Sequence, residues 1–171
     1  LCQIEKKERF IDIGAGSTLS QVIDLGRKIL PKALFDALES IGNPFIRNLA
    51  TIGGNICFTK KKLTLFSPLL ALEARLECKA SLTDTLFIPI SQFTGVPKGY
   101  FLSKIRVPID DWDISIFKKL GPQSSINEYS AFFTFLVQIE KTIVVNVRIA
   151  FCEKFSFRHK ELENKLLGIR L

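Results

Sequence analysis

Apolar and polar positions alternate along this chain in two rhythms, and the changes between them mark its elements. Residues 9–13 (Arg-Phe-Ile-Asp-Ile) alternate and stop at Gly14, which predicts a strand. Thr18 followed by Gln21 has capping-box spacing and opens a helix to about residue 30, with Leu19, Val22, Ile23, Ile29 and Leu30 on its apolar face and Pro31 as its stop. A second helix over 32–41 carries Leu34, Phe35 and Leu38 and ends near Gly42. Ser67-Pro68 reads as the start of a third, running through Leu69-Leu70-Ala71-Leu72. Residues 75–78, 86–90, 100–107 and 114–120 return to the strand rhythm, separated by Pro89, Gly95, Pro97, Gly99 and Pro108. Residues 131–137 and 142–150 are predicted to pair as antiparallel strands. The tail over 157–167 has helical spacing at Leu162, Leu166 and Leu167, with Gly168 as its C-cap. Strands and helices mix without strict βαβ alternation, so the fold class is α+β. The acidic, proline-bearing stretch 108–113 marks a domain break.

Between the second and third helices lies Ile46-Arg47-Asn48-Leu49-Ala50-Thr51-Ile52-Gly53-Gly54-Asn55-Ile56. Paired glycines permit positive φ and leave no side chains in the way. A turn of that kind can aim successive backbone N–H groups at one anion. Thr51 adds a hydroxyl, and Asn55 an amide that can orient the loop or touch a ligand. Ile46, Leu49, Ile52 and Ile56 are expected to pin the segment to a core. Gly-Gly-Asn alone is also an ordinary turn, so the ordered string carries the weight.

Composition narrows the function classes. With 171 residues, 47% of them hydrophobic, the chain can bury a real core as one large or two small units. The longest apolar stretch, near 131–139, is too short to cross a bilayer, and no basic, apolar leader opens the sequence, which makes the cytoplasm the expected location. Cys2, Cys57, Cys78 and Cys152 form no Cys-x-x-Cys pair, and His159 is the sole histidine, so no zinc or iron–sulfur ligand set can be assembled. Free thiols in a reducing compartment are expected instead. The net charge of +7 comes from scattered lysines and arginines without an aromatic-interleaved stripe, which fits docking of acidic partners or an anionic cofactor better than nucleic acid. The run Lys60-Lys61-Lys62 reads as a solvated loop or as a phosphate attractor. No methionine occurs, even at position 1, as expected of an excised fragment.

The 46–56 string closely resembles the second FAD-binding loop of the flavoprotein subunit of the xanthine dehydrogenase and carbon monoxide dehydrogenase (molybdenum hydroxylase) family. Ile13-Gly14-Ala15-Gly16-Ser17-Thr18-Leu19 is similar to the segment before that family's upstream helix, and Pro68-Leu69-Leu70-Ala71-Leu72-Glu73-Ala74 to the helix that follows the loop. Phe117-Lys118-Lys119-Leu120-Gly121 resembles the start of its C-terminal region, continued by Arg148-Ile149-Ala150, Arg158, Glu161 and Leu167-Gly168. The resemblance implies a vanillyl-alcohol-oxidase-like FAD-binding lobe, with a mixed or antiparallel sheet and flanking helices, over 1–108. The start of a small α+β C-terminal domain follows over 109–171. It further implies an oxidoreductase subunit that passes electrons from iron–sulfur clusters through FAD to NAD or another acceptor. Its partners are a molybdenum-cofactor subunit and a 2Fe–2S subunit.

By the same resemblance, Ala50, Thr51, Gly53, Gly54 and Asn55 hold the FAD pyrophosphate and its neighbours, and Cys57 lies beside the cofactor. Phe101 and Leu102 build an apolar adenine pocket. Lys119 stands near the isoalloxazine, where a cation can stabilise reduced flavin, or is a solvated strand lysine. No general acid–base pair or nucleophile–histidine constellation is present, so no catalytic residue is assigned. Three departures favour a competing reading, a cofactor-free subunit that only scaffolds its partners. Thr64 stands where the family has an aspartate, Gln123 where it has an arginine, and the family's first glycine-rich FAD loop belongs to an N-terminal lobe that this sequence does not show. Each charge-assisted hydrogen bond lost in this way is worth roughly 1.5–3 kcal/mol.

Overall fold

In the computed structural model, which describes residues 1–58, 60–121 and 130–170, the strands fall into two antiparallel sheets. The first contains β1 (Ile4–Lys6), β2 (Phe10–Gly14), β3 (Arg75–Lys79), β4 (Thr85–Pro89) and β5 (Phe101–Pro108), in the order β1-β2-β5-β3-β4. Its register sets Ile13 and Leu76 on either side of Ile105, and Ile11 opposite Val107. Because side chains alternate along a strand, these residues share one face, and all five are fully buried. The second sheet is a meander of β6 (Ile114–Leu120), β7 (Ala131–Glu140), β8 (Ile143–Cys152) and β9 (Ser156–Arg158).

Among the described residues six short α-helices accompany the sheets: α1 (Leu19–Ile23), α2 (Lys32–Glu39), α3 (Pro44–Leu49), α4 (Ile52–Cys57), α5 (Phe66–Ala71) and α6 (Lys160–Leu166). The capping box that opens α1 is complete. Thr18 Oγ1 accepts from the Gln21 N–H, and Gln21 Oε1 accepts from the Thr18 N–H. α1 nevertheless ends at Ile23, well short of residue 30, because Gly26 takes a left-handed backbone (φ 80°) that closes the helix. The tail differs as well: Phe157 and Arg158 belong to β9, and α6 begins at Lys160.

α2 and α5 connect the two sheets. The Ala33 N–H donates to Ser115 Oγ on β6 (3.1 Å). Ser67 and Thr134 share a buried hydroxyl–hydroxyl bond of 2.5 Å between α5 and β7. One continuous hydrophobic cluster runs from Ile11 and Ile105 through Leu34, Leu38 and Leu69 to Phe132, Leu136 and Cys152. A smaller cluster of Val137, Val144, Val147 and Ile149 is covered by Leu166 of α6.

Candidate functional site

At the end of the first sheet where β2 finishes and β5 begins, the chain leaves regular structure twice. Beyond Gly14, the Ala15 N–H still donates to Ser103 O of β5 (2.9 Å), after which residues 15–19 turn towards α4. A ladder of backbone bonds holds the two segments together. The Leu19 N–H donates to Ala50 O (2.9 Å), the Ile52 N–H to Ser17 O (3.0 Å) and the Gly53 N–H to Ala15 O (2.9 Å). The backbones come this close only because position 53 has no side chain. A Cβ built there would stand 2.7 Å from Ala15 O and 2.8 Å from Ala15 Cβ.

The 46–56 string is therefore two helical pieces rather than a wide turn. Asn43 caps α3 through Oδ1, which accepts from the Ile46 N–H (3.0 Å), with Pro44 in the first turn. Thr51 caps α4, its Oγ1 accepting from the Gly54 N–H (3.1 Å). Gly53 and Gly54 lie inside α4, and neither has positive φ. The first three N–H groups of α4 all have acceptors within the chain, so the expected nest of free amides is not formed. Asn55 Oδ1 accepts from the Leu65 N–H (3.3 Å), which ties α4 to the start of α5. Arg47 holds the string from the opposite side, donating to the carbonyls of Glu39, Ile41 and Gly42 at the end of α2.

A cleft of about 410 Å³ opens above this junction. Gly53, Gly54, Cys57, Phe101 and Leu102 line it, together with Ala15 and Gly16. Sequence reasoning assigned the first five to one site but gave no ligand role to Ala15, Gly16, Val96 or Tyr100, which also border the cleft. The small residues of Ala15-Gly16, next to a strand end, were the available signal. Phe101 is 48% exposed and Leu102 only 7%, so Phe101 offers a ring face while Leu102 anchors its strand in the core. Ala50, Thr51 and Asn55 belong to the same loop without lining the cleft.

Thr64 and Lys119 also lie off the cleft lining. Thr64 is 1% exposed, and among the described residues its Oγ1 has no hydrogen-bond partner. Lys119 sits on β6 two residues from buried Phe117, on the same strand face, and burial lowers its pKa. Gln123 is outside the described residues.

Cys57 is half-buried, and burial pushes its thiol pKa up against the opposing pull of the Lys62 charge. Lys62 is turned inward rather than solvated. Its Nζ donates to Phe93 O (3.1 Å) and lies 4.1 Å from the centre of the Phe66 ring. All four cysteines are free, and among the described residues no cluster of His, Cys, Asp and Glu could hold a metal ion. No helix among them is long and apolar enough to cross a membrane.

The residues present fit the pyrophosphate end of a dinucleotide. Gly54 turns an exposed face without a Cβ, Ala15 and Gly16 keep the lining small, and the exposed Phe101 ring offers a stacking surface. The unsatisfied Thr64 hydroxyl stands next to Leu65, the residue that Asn55 grips.

Comparison with known proteins identifies the fold and the family. The putative xanthine dehydrogenase FAD-binding subunit XdhB of Escherichia coli K12 is 32% identical over 128 residues, covering 74% of this chain and 41% of that protein. The chain thus spans about two-fifths of the length of that curated relative. Among solved structures, carbon monoxide dehydrogenase from Hydrogenophaga pseudoflava superposes with a TM-score of 0.84 at 20% identity, over 99% of this chain and 62% of that one. Quinoline 2-oxidoreductase from Pseudomonas putida 86 gives 0.83 at 17% identity, over 100% and 62%. These two establish the fold, an α+β arrangement of antiparallel sheets with flanking helices. Residues 1–110, well over half of the chain, match the family described as the FAD binding domain in molybdopterin dehydrogenase, and the chain belongs to that family.

Proposed function

We propose that this chain binds FAD and serves as the electron-transfer flavoprotein part of a molybdenum-containing hydroxylase or dehydrogenase, an oxidoreductase of the xanthine dehydrogenase kind. Electrons arrive from the iron–sulfur clusters of a 2Fe–2S subunit and leave to NAD or another acceptor, while substrate oxidation belongs to a molybdenum-cofactor subunit. The observation that carries this reading is the cleft, where Gly53, Gly54, Cys57, Phe101 and Leu102, scattered over 50 positions of sequence, meet at the junction that α4 makes with Ala15. Bound FAD supplies the redox chemistry; the chain's residues bind, orient and shield. Gly53 and Gly54 lie under the pyrophosphate, Gly53 by letting α4 close on Ala15 and Gly54 by presenting an exposed face without a Cβ, with Ala50 shaping the turn before them. Thr51 and Asn55 donate hydrogen bonds, Cys57 closes the wall, Phe101 and Leu102 form the adenine shelf, and Lys119 supplies a positive charge near the flavin ring.

We assign residues 1–108 to a vanillyl-alcohol-oxidase-like FAD-binding unit and 109–171 to the start of the C-terminal domain. In support, β5 ends at Pro108 and β6, the first strand of the other sheet, begins at Ile114. Four free thiols favour the cytoplasm. The test is titration with FAD, followed by flavin fluorescence and thermal unfolding. At a concentration 100-fold above Kd, binding contributes about 2.7 kcal/mol. For a chain of this size that raises Tm by roughly 5–10 °C. A Tm that stays put at saturating FAD, with no change in flavin fluorescence, refutes the proposal.

A second reading, a cofactor-free scaffold subunit, draws on one specific observation. The α4 amides are already satisfied within the chain, and Thr64, in the family aspartate's place, is too buried to meet a ligand. It predicts co-purification with the molybdenum and iron–sulfur subunits without flavin absorbance.

A further inference from the structure

The five-stranded sheet has two ends, and the cleft described above occupies only one. At the other, where β5 finishes at Pro108, a groove of about 610 Å³ opens against β9 and the end of α5. Six residue steps along β5 separate Leu102 from Pro108, roughly 20 Å, so the two sites are distinct. Arg9, Arg75, Arg106, Arg148, Arg158 and Lys160 line the groove. Four carboxylates answer them. Asp12 takes a bidentate pair from Arg106, and Glu163 takes two bonds from Arg158. Glu73 bridges Arg148 and Arg158, and Asp110 completes the lining. Six cations against four carboxylates leave a surplus of two positive charges.

That surplus sits where it can act. Arg9, Arg75 and Lys160 are exposed, and among the described residues they have no ion-pair partner. The side chains of Arg148 and Arg158 are only 13% exposed and form the floor. Burial chiefly, and Arg158 in addition, push the Arg148 pKa down against Glu73, Asp110 and Glu163, and Arg148 is held in place by the Ala71 carbonyl (3.0 Å) and the Trp112 ring. Glu73 reaches both floor arginines from a left-handed backbone (φ 57°) rare for a glutamate, with its side chain 56% exposed. It is the one floor partner open to displacement. Phe10, stacked under Arg106 at 4.1 Å, together with Leu72, Ile90 and Phe157, supplies apolar surface between the charges. Guanidinium forks beside apolar walls, in a groove of ligand size, suit a phosphate carried on a ring-bearing small molecule.

The geometry points to a second binding site in this groove, one that takes a phosphate dianion borne by a small organic molecule of the nucleotide class. The site is independent of FAD binding. Calorimetric titration of the full chain with uridine monophosphate, inorganic phosphate and uridine, at fixed ionic strength, tests it. Uridine monophosphate is expected to bind and uridine to be silent. Arg9→Ala and Arg75→Ala each weaken binding about tenfold, as loss of one charge-assisted contact implies. Glu73→Gln, which removes the competing carboxylate, strengthens it several-fold, and that gain is an effect a purely structural role cannot produce. Equal affinity for inorganic phosphate supports the dianion site and identifies the free ion as its ligand. An isotherm unchanged in the Arg9→Ala/Arg75→Ala double variant overturns the inference, as does preference for an Asp/Glu-rich peptide over both phosphates.

Discussion

Replacing Gly53 with alanine isolates the close approach on which the candidate site is built. Gly53 has a helical backbone, so propensity alone predicts that alanine stabilises α4 by about 0.8–1.0 kcal/mol. The structure predicts the opposite sign. The new Cβ meets the backbone oxygen of Ala15 at 2.7 Å and its Cβ at 2.8 Å, and both belong to a segment tied down by three backbone hydrogen bonds. Overpacking of this kind costs about 1–3 kcal/mol. Moving α4 aside weakens the Gly53–Ala15 hydrogen bond, worth about 0.5–1.5 kcal/mol. After the propensity gain, net destabilisation is roughly 1–3 kcal/mol, or a fall in Tm of roughly 2–12 °C. Gly54→Ala is the control. Gly54 is exposed, and its new Cβ meets only the Thr51 hydroxyl at 3.1 Å, so the propensity gain survives in part and Tm stays level or rises by up to about 4 °C. Thermal unfolding followed by circular dichroism reads both variants. If Gly53→Ala melts at or above the parent temperature, the glycine serves something other than the approach of α4 to Ala15.

Three further predictions address the rest of the molecule. Ser67→Ala or Thr134→Val alone leaves one hydroxyl buried without a partner and costs about 1–3 kcal/mol; the double variant recovers part of that, and additive losses in denaturant titrations would count against the bond between α5 and β7. Glu163 is buried, which raises its pKa, but the Arg158 guanidinium and the Ile149 N–H outweigh that and hold it below the usual carboxylate range. Stability from this group is therefore present above about pH 4.3 and lost as pH falls through the depressed folded value; Glu163→Gln should flatten the acid limb of the stability–pH curve, and an unchanged limb contradicts the assignment. The β7–β8 hairpin turns through Lys141 and Thr142, both at positive φ (48° and 70°), so Lys141→Asn/Thr142→Gly should raise stability by about 1 kcal/mol, and a fall in Tm would show that the turn is not the mirror-image type.

Much of the fold could be read in the chain because its signals are local. The Thr18–Gln21 capping box, the alternation in β2 through β8 and the position of Gly168 (φ 79°) depend on neighbours a few residues apart. Two local signals were read too simply. Gly26 lies inside an apolar periodicity that suggests a longer helix, yet its left-handed backbone ends α1. Gly53-Gly54 suggested an open turn, although Asn43-Pro44 and Thr51 already marked two helix starts. Part of the candidate site was equally legible. The string around Gly53 and the pair Phe101-Leu102 could be assigned to one ligand, whereas Ala15 and Gly16 joined them only through pairing of residues more than 30 positions apart.

By itself, then, the sequence determined the element types, the α+β class and the glycine-bearing segment on which the family likeness rests, because each depends on backbone preference or short-range periodicity. The tertiary structure decided what those glycines do. Position 53 is empty because two backbones meet there, and the α4 amides are spent on that meeting rather than left for an anion. It also decided the fate of charges that look scattered along the chain. Lys62 is drawn onto two aromatic rings, while six cations from β2, β3, β5, β8, β9 and their flanks gather at the far end of the first sheet. Burial and charge convergence depend on which strands lie side by side, and only sheet order and register settle that.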